Sequence, residues 1–141
     1  MSRNSLLILW PALGQIGWTF LLYVWLTVAR RAAVKRGAVK YGSFAFNRDE
    51  PKDVARIRLN LANQFELPLF FFFAVGVLIA LNRVNGIDIA VAWIFVGGRV
   101  VHSLVQGLTD NVPLRGQVFL INFFAACVLL GHLALIALEV F

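Results

Sequence analysis

Cysteine occurs once in this 141-residue chain, histidine twice, and aspartate and glutamate together only seven times. One cysteine excludes an intrachain disulfide and a thiolate zinc site. Two histidines and scattered acids supply no cluster at metal-ligand spacing, so no metal is expected. No glycine-rich loop cradles a phosphate; Gly97-Gly98 reads as close helix packing. No serine, histidine and aspartate fall at the spacing of a hydrolytic triad. Ser103 follows His102, but adjacent side chains on a helix diverge by about 100°, which argues against a nucleophile–base pair. Charge is scarce too, at 14% of residues.

What the chain has is apolar bulk. Hydrophobic residues make up 60% and the mean hydropathy is +0.80, against about 45–50% apolar residues in soluble domains. A span takes about 20 apolar residues, and four runs qualify: Leu6–Ala29, Leu59–Leu81, Ile87–Leu108 and Val118–Leu138. With flanking turns the spans are set at about 6–29, 51–82, 87–108 and 117–138. The expected fold is all-α, a single domain over 1–141, built as a four-transmembrane-helix bundle. The first run is too long for a signal-peptide core and no small-residue cleavage site follows it. Trp10 and Trp25 suit interfacial anchoring, Trp18 packing. Cys127, mid-span with no charge near it, reads as an inert packing residue. His132, alone on an apolar helix, reads as an interhelical donor.

Basic residues set the orientation. Arg30 to Arg58 holds nine Lys/Arg and three acids, which is the whole net charge of +6. The positive-inside rule places this loop in the cytoplasm, with both termini and the "NRVNG" turn opposite. A nucleic-acid patch is disfavoured because membrane spans flank the loop on both sides; anionic headgroups are its expected contact. In "NRDEP", Asp49 or Glu50 can cap a helix and Pro51 suits its first turn. Helix 2 is expected to run unbroken from Pro51 to about Asn82, roughly 48 Å, so its first turns project into the cytoplasm.

On a helical wheel Arg56, Asn60 and Asn63 fall within about 60° of each other and Glu66 extends their stripe, while Arg58 and Gln64 point elsewhere. Arg99, His102 and Gln106 share a face of helix 3 at i, i+3, i+7. Arg115 opens helix 4 on the same side. Ionisable groups inside a span cost several kcal/mol unless paired or wetted. The stripes therefore form a Glu66–Arg99 structural pair, a cytoplasm-facing pocket for a small anion, or a proton or ion path. The last lacks polar groups in the other leaflet beyond Gln15 and His132.

"ANQFELPLF" after a basic loop, with "ARR" closing helix 1, resembles the MAPEG family (membrane-associated proteins in eicosanoid and glutathione metabolism). Its members include microsomal glutathione transferases. The resemblance covers the whole chain, and Asn63-x-x-Glu66 followed by Pro68 is its most specific element. It implies a homotrimer in a bacterial-type inner membrane, with glutathione as co-substrate at sites between subunits. Asn63 and Glu66 match the residues that hold glutathione's amino end, and Arg99 matches an arginine of helix 3. Arg30, Arg31 and Arg115 occupy the places of arginines near the thiol or the carboxylates; Arg115 and Arg31 are the implied catalytic cations. Arg56 and Asn60 would help hold the ligand. The chain departs from the family at Leu59, where an arginine stands, and at His102 and Gln106, where one branch has tyrosines. Its proline also follows the glutamate by two residues, not three. The implied activity is conjugation or reduction of a lipophilic small molecule entering from membrane lipid, with no nucleic-acid partner. The rivals are a non-catalytic membrane scaffold and, with least support, a transporter.

Overall fold

The computed structural model describes residues 1–45 and 49–139. Arg48, one of the cations counted in the first loop, lies outside the described residues. Every regular element among those described is helical: α1 (Arg3–Leu7), α2 (Leu9–Lys35), α3 (Lys52–Ala62), α4 (Leu67–Ala80), α5 (Gly86–Leu108) and α6 (Val112–Leu138). Tyr41–Ala45 and Asn63–Phe65 are short 3-10 turns. Four stretches are long and apolar enough to cross a membrane: Arg3–Lys35, Lys52–Ala80, Gly86–Leu108 and Val112–Leu138. The chain is an all-α integral membrane protein, as its hydropathy implies.

The spans alternate up and down. One end, the loop end, carries the first loop and the 109–111 turn, joined where Arg56 pairs with Asp110. The other, the turn end, gathers the N-terminus, the 81–85 turn and Glu139. There the Ser2 backbone N–H donates to Asn82 Oδ1 at 2.9 Å, and Arg83 pairs with Glu139 at 2.5 Å.

Local chemistry explains the element ends. After α2, Gly37 adopts φ +72°, and the Ala38 and Gly37 amides bond back to Ala33 and Val34 carbonyls in a Schellman closure. Asn82 does the same after α4 at φ 54°. Asn85 and Asp88 form a reciprocal capping box that starts α5, and Asn111 Oδ1 caps α6 through the Leu114 amide. The expected cap by Asp49 or Glu50 is absent: α3 starts without a side-chain cap. Glu50 instead turns inward, 2.7 Å from Arg58 and 3.6 Å from Arg30.

Helix 2 is not continuous as expected. It breaks at Asn63–Phe65, and Glu66 takes φ −94°, ψ −94°. Pro68 causes this: it donates no amide hydrogen, and its ring excludes the carbonyl four residues back. Pro11 interrupts the first span between α1 and α2 for the same reason.

Two apolar cores flank a polar layer. Toward the turn end, Ile8, Phe71, Ala74, Leu78, Phe95 and Leu129 pack together, with the Phe71 and Phe95 rings stacked 4.4 Å apart. Toward the loop end, Leu22, Leu26, Ala33, Val54, Ile57 and Leu61 form the second. Close packing falls on Gly98 of the expected pair and on Gly107. A Cβ at Gly98 would collide with the Asn122 amide, whereas Gly97 faces open space. Gly107 seats the Trp25 ring, so Trp25 packs partly buried against α5 toward the loop end. Cys127 lies on the outer face of α6 and is not a packing residue of the core.

Candidate functional site

The polar layer centres on Gln64, a residue the wheel placed off the stripe. Its Oε1 accepts from Gln15 Nε2 at 3.0 Å and from Arg99 Nε at 3.4 Å. Its Nε2 donates to the Asn60 carbonyl at 3.0 Å, Asn60 Oδ1 at 3.2 Å and Ser103 Oγ at 3.3 Å. Asn60 Nδ2 donates to the Ser103 carbonyl at 3.0 Å, and Trp18 Nε1 to Ser103 Oγ at 3.1 Å. Gln15, Asn60, Gln64, Arg99 and Ser103 are all buried. One network thus ties α2, α3 and α5 together at mid-span.

Arg99 has a definite task there. The break before Pro68 frees carbonyls at the end of α3, and Arg99 Nη2 donates to that of Asn63 at 2.9 Å. The guanidinium also meets the negative end of the α3 dipole. The Glu66–Arg99 pair, one of the three alternatives from sequence, does not form: Glu66 is exposed and makes no ion pair among the described residues. On an unbroken helix Gln64 and Glu66 would sit about 80° to either side of Arg56. The break decides between them, turning Gln64 in and Glu66 out. The available signal was the i, i+4 spacing from Asn60 to Gln64.

Beside the network lies an open pocket of about 420 Å³ at the loop end. Asn63 from the α3 break, His102 and Gln106 from α5, and Arg115 from α6 line it, with Leu59 and Phe119 as apolar wall. Asn63 Nδ2 donates to Gln106 Oε1 at 2.9 Å, fixing both amides. His102 is buried and its Nδ1 has no partner among the described residues. Arg115 makes no ion pair among them either, and no carboxylate lines the pocket. A narrow cleft of about 70 Å³ opens beside it, sharing Gln106 and Arg115 and edged by the Arg56–Asp110 pair. Among the described residues the pocket therefore offers a guanidinium without an ion pair, two oriented amides and an imidazole, a set that suits a small polar anion.

The ten residues named from sequence fall into four groups. Asn63, His102, Gln106 and Arg115 converge on the pocket, and Arg56 stands at its edge, already paired. Asn60 and Arg99 are interior to the network. Glu66 is on the surface. Arg30 and Arg31 close α2 away from the pocket lining: Arg30 pairs with Glu50 and lies 5.0 Å from the Phe44 ring centre, and Arg31 is exposed. No group of three His, Cys, Asp or Glu among the described residues could hold a metal.

The model of the MAPEG family matches residues 8–135. Comparison with curated proteins and with solved structures finds no match.

Proposed function

The chain belongs to the MAPEG family, and from that premise we propose that it is a membrane-embedded glutathione transferase-like enzyme. It acts on lipophilic electrophiles at the cytoplasmic interface, as a homotrimer, with the loop end in the cytoplasm. The observation that carries the reading is the convergence of Asn63, His102, Gln106 and Arg115, which makes no ion pair among the described residues, on one open pocket. Arg115 favours the thiolate over the thiol by opposite charge. Asn63 and Gln106 orient the peptide, and Glu66 takes its ammonium. The thiolate attacks the electrophilic carbon; a C–S bond forms, and the leaving group departs with its electron pair. The electrophile reaches the pocket from the lipid phase.

The test is turnover in proteoliposomes. With glutathione and a lipophilic aryl halide, the wild-type protein should form thioether and Arg115→Leu should lose at least about 90% of that rate. Equal rates in both, no faster than protein-free liposomes, would leave the scaffold reading in its place.

A further inference from the structure

The turn end holds a second built site that this chemistry does not use. Asp88, third residue of α5, is 1% exposed. Its Oδ2 accepts the Asn85 backbone N–H at 2.8 Å, as the capping box requires. His132 of α6 places Nδ1 2.9 Å and 3.0 Å from the two carboxylate oxygens. A carboxylate already accepting a backbone amide takes a further donor, so Nδ1 carries the proton. Nε2 is the free nitrogen of the ring, with no hydrogen bond among the described residues. The pair borders an open cavity of about 560 Å³ whose other walls are Asn85, Ile87, Val128, Gly131 and Leu135. Space over Gly131 is empty: an added Cβ would meet nothing within 4 Å. The site lies about 21 Å along α5 from His102 at 1.5 Å per residue, so it is separate from the anion pocket.

The lining chooses the ligand. No lysine or arginine borders the cavity among the described residues, so a phosphate head has no partner. The one carboxylate is already spent on His132 and Asn85, so an ammonium head has none either. A hydroxyl both donates and accepts, and therefore suits an imidazole nitrogen in either charge state. Asn85 Oδ1 is held by the α5 capping box, and the rest of the wall is aliphatic and suits a tail.

We propose that the cavity between α5 and α6 binds a neutral lipid-soluble molecule through a hydroxyl head hydrogen-bonded to His132 Nε2. Asp88 is the positioning residue that holds the imidazole edge toward the cavity. Gly131 is the opening that admits the head.

The full chain in nanodiscs provides the test. A long-chain alkylphenol bearing a photoactivatable diazirine is cross-linked and mapped by mass spectrometry. Label should fall on the 128–135 segment. Unlabelled alkylphenol should compete about tenfold better than its methyl ether, which lacks the donor. Gly131→Leu should abolish the label without lowering the melting temperature, because the side chain enters empty space. Label elsewhere, equal competition by the ether, or full labelling of Gly131→Leu would each overturn the proposal. Wild-type discrimination between phenol and ether decides the matter even if the variant folds poorly.

Discussion

At the scale of single residues, burial and hydrogen bonding separate roles that sequence spacing merges. Gln64 and Glu66 stand two positions apart, yet one satisfies five polar contacts and the other faces outward. Gln64→Leu should therefore lower stability by about 2–4 kcal/mol, because it leaves the Gln15 amide and Arg99 Nε without their acceptor. Thermal unfolding in detergent measures this. Glu66→Gln should leave the melting temperature within about 2 °C, since exposed substitutions fall within about ±0.5 kcal/mol. It should still weaken glutathione binding, because it removes the acid assigned to the ammonium. Both polar stripes were legible from residue type, and four of the named residues do line one pocket. Gln64's part was not, because a wheel assumes an unbroken helix. The sequence offers Gln15 as a polar group of the other leaflet, Trp18 as packing and Ser103 only as a neighbour of His102; contact across helices joins all three to Gln64 or to each other.

At the scale of elements, prolines and glycines set where helices bend and approach. Pro68 breaks helix 2 where Arg99 can reach a freed carbonyl, so the break and the buried cation belong to one device. Span number and approximate ends were readable from hydropathy. The break was signalled only by Pro68, deep inside the expected helix, where a proline removes a backbone donor and crowds the carbonyl four residues back. The glycine pair shows the same limit. Gly97 and Gly98 are equivalent in sequence, but only Gly98 abuts α6. Gly98→Ala should cost about 1–3 kcal/mol by forcing α5 and α6 apart or displacing the Asn122 amide. Gly97→Ala should be neutral or slightly stabilising through helix propensity. Paired melting curves of the two variants check this.

At the scale of the whole molecule, charge asymmetry and the anion pocket coincide at one end. The basic first loop and Arg115 lie on the same side of the bundle as the pocket mouth, and that side is the one assigned to the cytoplasm. In a Cys127→Ala background, Lys40→Cys should react with an impermeant maleimide only from the cytoplasmic face, and Gly86→Cys only from the opposite one. The central claim is that the pocket lined by Asn63, His102, Gln106 and Arg115 holds an anionic thiol peptide. Isothermal titration of the purified protein with glutathione tests it most directly. Saturable binding is expected, weakened at least about tenfold by Arg115→Leu, equivalent to one charge-assisted hydrogen bond. No heat at millimolar glutathione, or equal binding by the variant, would contradict it.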